Sequence, residues 1–319
     1  MSEVLRHVID SIGAASRASA EVARSKVASA GAPVLERLAA SLAGAQHTPR
    51  PRAAKKTIVV VAGDHGAGDP GIVLGDSHPT VIAAKAIADG SAALAGVART
   101  AHAPILLVDA GTREPSHMPP VAVGLGRGPG GDLGEAMTPI DARLALEAGI
   151  ALAVSLGDSD VLAVGALGLG SELAAAALHE AASRDTAETV ERDLAGIDDV
   201  ERARILGRTM GGMSGLDLLA YLGGPDTAVL AGLILGAAST NTPVILDGQA
   251  TGAAALVAWR LAPAVAGYLI AAHRGTEAMP AILATLGLEP VFEVGLGHGE
   301  GTGAAMVLPL LDQVVALTS

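Results

Sequence analysis

Six residues, Thr57-Ile-Val-Val-Val-Ala62, form a short, continuous apolar run that ends at Gly63. A run of this length and β-branched composition is typical of a strand that is buried on both faces of a parallel sheet. Five more runs end at or near a glycine or a polar residue: 105–109, 160–164, 243–247, 268–271 and 291–294. Helical patterns lie between most of them, over residues 79–100, 138–156, 172–182, 226–238, 249–261, 277–286 and 303–317. This alternation predicts an α/β fold, a mainly parallel sheet that is flanked by helices and has right-handed crossovers.

The N-terminal region has a different pattern. Residues 3–44 read as helical, and His47-Thr-Pro-Arg-Pro-Arg52 ends that helix. We therefore predict an N-terminal helical segment over residues 1–52 and a single α/β domain over residues 53–319. Within this domain, segment 111–136 carries five glycines between residues 124 and 131, which predicts a long flexible loop that acts as a lid.

Composition narrows the classes of function. Half of the residues are apolar and 1% are aromatic, so the core is expected to consist of small aliphatic side chains packed with glycine. The net charge of −12 disfavours a nucleic-acid partner. The absence of cysteine excludes disulfides, thiolate nucleophiles and cysteine-bound zinc. The start has no signal-peptide pattern and no apolar window predicts a clear membrane span, so we expect a cytoplasmic protein that has no membrane partner.

Asp64 and His65 follow the first predicted strand directly. Ligands gather at the carboxyl ends of strands in parallel sheets, so both side chains are predicted to face a ligand. The alternative is that Asp64 caps the turn and that His65 packs beside it. A metal site made of Asp64, His65 and Asp109 is not favoured, because no pair of helical histidines supports it. No metal and no other cofactor is predicted.

Two more junctions are rich in glycine. The segment Gly165-Ala-Leu-Gly-Leu-Gly-Ser171 joins a strand to a helix, where its amides either bind an anion or permit close packing. The segment Gly223-Gly-Pro-Asp226 precedes an apolar helix, and Asp226 is either the N-cap of that helix or part of a site. The chain has no Walker A motif, which disfavours binding of a nucleoside triphosphate.

The most specific feature is Gly295-Leu-Gly-His-Gly-Glu-Gly-Thr-Gly303, in which five glycines alternate with other residues. In an extended chain, alternate residues face opposite sides, so the glycines would leave one face bare. The other face would carry Leu296, His298, Glu300 and Thr302. Packing against a neighbouring helix would explain the bare face but would not explain the central acid. Glu300 is therefore the candidate functional carboxylate.

Seven segments occur in an order and spacing that identify a family: Val60-Val-Ala-Gly-Asp-His-Gly66, Val108-Asp-Ala-Gly111, Gly223-Gly-Pro-Asp226, Pro243-Val-Ile-Leu-Asp-Gly248, Tyr268-Leu-Ile-Ala-Ala-His273, Gly287-Leu-Glu-Pro290 and Gly299-Glu-Gly-Thr-Gly-Ala-Ala305. With them, most of the chain resembles the nicotinate-nucleotide:dimethylbenzimidazole phosphoribosyltransferases of cobalamin nucleotide-loop assembly. The resemblance implies a Rossmann-like parallel sheet with a small helical subdomain, and a homodimer with sites near its interface.

The resemblance also implies a reaction. A benzimidazole nitrogen attacks the ribose anomeric carbon of nicotinate mononucleotide, nicotinate leaves, and α-ribazole phosphate forms. Glu300 is implied to be the catalytic residue, the general base that takes the proton from the attacking base. The predicted substrate-binding positions are Asp64, His65, Gly75, Ala83, Gly165, Ala166, Gly168, Gly223, Gly224, Asp247, His273, His298, Gly299 and Gly301. The predicted phosphate-binding residues are Ser171 and Arg204.

The chain departs from the family's pattern at several of these positions. Ala166 stands in place of a second carboxylate, and Ser171-Glu-Leu173 stands in place of the hydroxyls that bind phosphate. A lysine on the phosphate side aligns with Ile205, next to Arg204. In the base pocket, the changed positions are Gly75, Ala83 and His298, where the family has serine, glutamine and leucine.

Two functions therefore stay open. The first is an enzyme, a divergent phosphoribosyltransferase that uses 5,6-dimethylbenzimidazole or a related base, or a different base or ribosyl donor. The second is a paralogue that binds a nucleotide or a base without turnover. Ala166 and Glu172 favour the second reading, whereas the retained Glu300 favours the first.

Overall fold

A parallel sheet of six strands forms the centre of the described structure. The computed structural model describes residues 1–66, 74–189, 197–275, 278–296 and 300–319. The strands are β1 (Lys56–Gly63), β2 (Ile105–Gly111), β3 (Val123–Gly124), β4 (Val161–Leu167), β5 (Val244–Leu246) and β6 (Leu269–Ala271). Their order is β3-β2-β1-β4-β5-β6, and every neighbouring pair is parallel. The predicted α/β fold class is confirmed.

Helices cover both faces of this sheet. In the described ranges they are α1 (Glu3–Ser11), α2 (Arg17–Val27), α3 (Pro33–Ala45), α4 (Pro79–Asp89), α5 (Ala93–Thr100), α6 (Pro139–Ser155), α7 (Ser171–Ala182), α8 (Asp199–Thr209), α9 (Gly215–Leu222), α10 (Pro225–Ser239), α11 (Gln249–Leu261), α12 (Met279–Leu286) and α13 (Thr302–Thr318). Because strand side chains alternate, Val59 and Val61 enter the core under α6, α7, α10 and α11. Ile58 and Val60 enter the opposite core, under α2 to α5 and α13.

Some elements differ from their predicted form. The predicted helix over residues 3–44 is three helices, the last two separated by a left-handed turn at Gly31 with φ of 63°. The predicted helix over 79–100 is broken at Gly90, with φ of 84°. The predicted strand over 291–294 is wrong, since only Phe292 forms an isolated bridge, with His273. Strand β3 and helices α8 and α9 were not predicted.

Glycine allows the main chains of α6 and α10 to touch. A Cβ atom on Gly149 would lie 2.0 Å from the carbonyl oxygen of Val229, and one on Gly232 would lie 1.9 Å from that of Leu146. Such contacts explain how a core with 1% aromatic residues fills its volume.

The N-terminal helices pack directly on this layered structure. Leu5 of α1 lies in the core beside α10, whereas Leu38 and Leu42 of α3 lie in the opposite core. The segment 1–52 therefore shares its apolar contacts with the sheet domain. A boundary at residue 52 stays a prediction.

Within the part of the chain that the structure describes, one segment, Pro79–Thr100, is long and apolar enough to cross a membrane by length and composition alone. In the structure it comprises α4 and α5, which are separated by the left-handed turn at Gly90. The buried side chains Ala84, Ile87 and Leu94 pack into a core of the protein. A helix pair in a protein core can therefore have the length and the apolar composition of a membrane span.

Candidate active site

The strand order places a crevice between β1 and β4. These strands are neighbours in the sheet, although β2 and β3 lie between them in the chain. Crossovers leave in opposite directions at such a point, and ligands of α/β proteins bind at the carboxyl ends of the strands there. Gly168, with φ of 157°, would place a Cβ atom 1.8 Å from the carbonyl oxygen of Gly63. The tips of β1 and β4 therefore meet main chain to main chain, which requires glycine.

Asp64 follows β1 and is completely buried. One carboxylate oxygen accepts hydrogen bonds from the hydroxyl of Thr80 at 2.5 Å and from the amide of Leu169 at 3.0 Å. The other oxygen accepts from the amide of Arg113 at 2.8 Å. Asp64 thus joins the loops that follow β1, β2 and β4 to the start of α4. This geometry favours the structural alternative for Asp64 over direct contact with a ligand.

His65 belongs to a second buried network. Its Nε2 lies 2.9 Å from a carboxylate oxygen of Asp226, whose other oxygen accepts from the hydroxyl of Ser171 at 2.9 Å. Asp226 lies in the first turn of α10, after the N-cap residue Gly224, so the predicted N-cap role of Asp226 is wrong. Gly224 packs on the imidazole, since a Cβ there would lie 2.1 Å from Cε1 of His65. In this network the Ser171 hydroxyl donates to a carboxylate, so the structure does not show it available to a phosphate.

The two charges of this network support each other. Burial alone would lower the pKa of His65, but the adjacent Asp226 carboxylate raises it above the ordinary value of 6.5. Burial alone would raise the pKa of Asp226, but His65 and the Ser171 hydroxyl hold it below 3.8. The pairing therefore favours the protonated form of His65 and the ionised form of Asp226 beneath the crevice.

We expect this pair to make stability depend on pH. The His65 contribution is complete below pH 6.5 and is lost as the pH rises through its raised pKa. The Asp226 contribution is present above pH 3.8 and is lost as the pH falls through its lowered pKa. His65→Gln should lower the free energy of unfolding by about 1.5–3 kcal/mol near pH 6, and by less above neutrality. Urea unfolding from about pH 5 to about pH 9 measures this difference.

His7→Gln is the control for that experiment, because His7 lies on the exposed face of α1. The control should show only a small difference in stability. A His65→Gln difference that stays constant over the same range would contradict the ion pair.

Glu300 lies on the opposite side of β4 from the His65–Asp226 network. Its side chain is half-buried, and within the described part of the chain no hydrogen bond or ion pair holds its carboxylate. A Cβ atom on Gly165 would lie 2.4 Å from the carbonyl carbon of Glu300 and 2.5 Å from the amide nitrogen of Gly301. The Glu300–Gly301 peptide therefore rests directly on β4.

The extended chain predicted for the glycine series is wrong where the structure describes it. Gly301 has φ of 96° and is the N-cap of α13, and Thr302 is the first residue of that helix. Leu296 donates its amide to the carbonyl of Val294 at 2.9 Å, which marks a tight turn at Gly295. His298 and Gly299 lie outside the described residues.

Asp247 and His273 follow β5 and β6 and lie beneath Glu300. The Asp247 carboxylate accepts hydrogen bonds from the amides of Gly301 at 2.8 Å and Ala304 at 2.9 Å. The Nδ1 of His273 accepts from the amide of Gly275 at 3.0 Å, which leaves its proton on Nε2, 3.3 Å from Asp247. Gly303 completes the contact, because a Cβ there would lie 2.5 Å from Asp247 and 2.4 Å from His273.

The remaining predicted positions are more dispersed. Gly75 opens a short 3-10 turn before α4, with φ of 77°, and Ala83 is half-buried on α4. Ala166 is buried and points away from Glu300, into the core under α10. Arg204 on α8 lies near enough to His179 to contribute, after burial, to the lowered pKa of that histidine. His179 is about two helical turns beyond Ser171 on α7, and a phosphate site made of Ser171 and Arg204 stays a prediction.

Thr80 and the amides of Arg113 and Leu169 were not predicted to belong to these networks. The hydroxyl of Thr80 reaches Asp64 across 16 residues of sequence, and the Leu169 amide reaches it across 105. Such partners meet only through the crossovers. The sequence carried only a weak signal for Thr80, which is the second residue of the predicted helix over 79–100.

Comparison with known proteins gives one consistent family. Residues 11–319 match a family described as phosphoribosyltransferase. The protein of Roseiflexus sp. (strain RS-1) named nicotinate-nucleotide–dimethylbenzimidazole phosphoribosyltransferase is 37% identical over 294 residues, which cover 86% of this chain and 82% of that relative. A protein of the same name from Desulfotalea psychrophila is 34% identical over 298 residues, which cover 88% and 84%.

Solved structures agree with the sequence relatives. The crystal structure titled as this phosphoribosyltransferase from Thermus thermophilus has a TM-score of 0.76 and 30% identity, covering 89% of this chain and 88% of that one. A second, titled CobT from the same organism, has a TM-score of 0.76 and 28% identity, covering 98% and 94%.

Proposed function

This chain belongs to the family of the nicotinate-nucleotide–dimethylbenzimidazole phosphoribosyltransferases, and we propose that it transfers phosphoribosyl from nicotinate mononucleotide to 5,6-dimethylbenzimidazole or a related base. The products are α-ribazole phosphate and nicotinate. The observation that carries this function is the placement of Glu300, whose main chain rests on β4 beside the crevice while its carboxylate is unpaired among the described residues.

The reaction needs one general base and no redox step. A ring nitrogen of the acceptor attacks the anomeric carbon of the ribose, and a new carbon–nitrogen bond forms. The bond to the pyridine nitrogen of nicotinate breaks, and nicotinate leaves with that electron pair. The proton on the other acceptor nitrogen moves to the Glu300 carboxylate. A positioned general base of this kind contributes about 10²–10⁴-fold to the rate.

The crevice supplies a rigid frame for this step. The buried Asp64 and His65–Asp226 networks fix the loops after β1, β2 and β4, and the main-chain contact at Gly168 joins the two strand tips. Preorganised groups lower the cost of bringing the donor and acceptor together. We propose that Asp64 and His65 act through this frame, whereas Gly75 and Ala83 contact the acceptor.

The departures from the family's pattern support a second candidate, a protein that binds without turnover. Ala166 offers no carboxylate, Ser171 donates to Asp226, and Ile205 is buried where the family has its lysine. Each lost charge-assisted contact costs about 1.5–3 kcal/mol of anion binding. The Glu300 carboxylate, which has no partner among the described residues, favours turnover over this candidate.

Release of nicotinate distinguishes the two functions. The purified protein is incubated with nicotinate mononucleotide and a panel of benzimidazoles and purines, and nicotinate and the riboside product are separated by chromatography. Turnover of at least one base supports the enzyme. Calorimetric binding without product, across the whole panel, would instead establish the binding protein.

We also propose a cytoplasmic homodimer that binds no nucleic acid and no membrane. The net charge of −12 disfavours polyanionic partners and anionic lipid surfaces. Val121 and Val123, 66% and 45% exposed beside and on the edge strand β3, support an interface there, because exposed apolar edges are usually covered. Sedimentation equilibrium of the wild type and of Val123→Lys tests the dimer.

A further inference from the structure

The turn that carries Glu300 has no cap of its own. Gly301 is the N-cap of α13 and has no side chain to accept the free amides of the first turn. Asp247, 54 residues earlier in the chain, accepts two of them, from Gly301 and Ala304. A carboxylate at this place also complements the positive end of the helix dipole.

Asp247 is itself held from several sides. Its amide donates to the hydroxyl of Thr251 at 3.0 Å, and that hydroxyl donates to the carbonyl of Gly248 at 2.8 Å. The Nε2 of His273 lies 3.3 Å from the carboxylate, in contact with it but without a hydrogen bond. The contact with Gly303 closes the remaining side. Asp247 is completely buried and each of its oxygens accepts a main-chain amide, so the carboxylate faces the turn and not an open site.

We propose that Asp247 is a positioning residue for the general base. It fixes the Gly301 amide, and with it the Glu300–Gly301 peptide, against Gly165 of β4. Asp247 therefore acts on catalysis through Glu300 and does not bind the donor or the acceptor. This inference rests on the proposed function for its catalytic part, whereas its structural part is independent of that function.

Asp247→Asn tests the inference with little change in volume. The side-chain amide group presents hydrogens to one of the two main-chain amides, so the turn must shift. A displacement of about 1 Å at a catalytic group costs about 10²-fold, so kcat should fall by about that factor. The KM for nicotinate mononucleotide and for the base should change by less than about threefold, because transition-state stabilisation is lost without loss of substrate binding.

A double-mutant cycle with Glu300→Gln separates positioning from a general loss of structure. If Asp247 acts through Glu300, then Asp247→Asn in the Glu300→Gln background should change kcat by less than about twofold. Losses that multiply in the double variant would overturn the proposal. A raised KM with unchanged kcat would also overturn it, since it would place Asp247 in contact with substrate.

Asp109→Asn is the matched control. Asp109 at the end of β2 also accepts two main-chain amides, from Gly111 at 3.1 Å and Thr112 at 2.9 Å, but it does not contact the Glu300 turn. It should lose comparable stability and keep its kcat. If Asp247→Asn does not fold, Thr251→Val removes the hydroxyl that accepts the main-chain amide of Asp247, loosens the residue that carries the carboxylate, and should show a smaller loss of kcat.

Hydrogen exchange gives a readout that does not need turnover. A peptide spanning residues 300–305 should exchange at least about tenfold faster in Asp247→Asn than in the wild type, and should not change in Asp109→Asn. Unchanged exchange overturns the proposal even if the enzyme is active. Faster exchange in a protein that never releases nicotinate retains the positioning role of Asp247 and refutes the proposed function alone.

Discussion

Glu300→Gln should lower kcat by about 10²–10⁴-fold while the free energy of unfolding changes little. The amide has nearly the same shape as the carboxylate but cannot take the proton from the acceptor nitrogen. No described side chain pairs with the Glu300 carboxylate, so its replacement leaves no partner unsatisfied. The measurement is nicotinate release at saturating concentrations of donor and base, with urea unfolding of the same preparations.

Glu293→Gln provides the control for this variant. Glu293 lies seven residues earlier, is exposed, and pairs only with Arg274 among the described residues. Its replacement should leave kcat within about twofold, since exposed ion pairs contribute little. Full activity of Glu300→Gln would remove Glu300 from the mechanism and would favour desolvation and orientation alone as the source of the rate.

Gly165→Ala should lower kcat by about 10²-fold, because the added methyl group meets the catalytic turn itself. The new Cβ atom would lie 2.4 Å from the carbonyl carbon and 2.5 Å from the carbonyl oxygen of Glu300, so the turn must move away from β4. A shift of about 1 Å at a catalytic group costs about that factor. Overpacking should also destabilise the protein by about 1–3 kcal/mol. Steady-state kinetics and urea unfolding measure the two effects separately.

Gly124→Ala is the matched strand substitution. A Cβ atom on Gly124 in β3 meets nothing within 4 Å, so neither kcat nor stability should fall. If Gly165→Ala loses stability but retains kcat, then the Glu300 turn tolerates displacement and the close contact with β4 matters only for packing.

The strands and the parallel class could be predicted because their signal is local. β-branched runs such as Val59-Val-Val61 are buried on both faces, and the sequence shows this without partners. The 291–294 run failed because only Phe292 reaches an edge position, beside His273, before the chain turns at Gly295. Helices α8 and α9 were missed although Asp198 and Ser214 carry visible N-cap signals.

The site could be predicted only in part. Glu300 stood out because its glycine neighbours are unusual in sequence, but their conformation depends on β4 and Asp247, which lie far away in the chain. Asp64 and His65 were correctly placed at a strand tip. Their buried partners, Thr80 and Asp226, come from other crossovers, and no local pattern indicates which carboxylates will be enclosed.

The support of Glu300 by main-chain contacts has an evolutionary consequence. Its position depends on two amides, a buried carboxylate and bare glycines, and none of these groups reads the identity of a substrate. If Gly75 and Ala83 contact the acceptor as proposed, these positions can therefore change without displacing the acid. A family of enzymes built in this way can change its acceptor while the general base keeps its position. Substitutions in the acceptor pocket are therefore the expected result of adaptation to a new base.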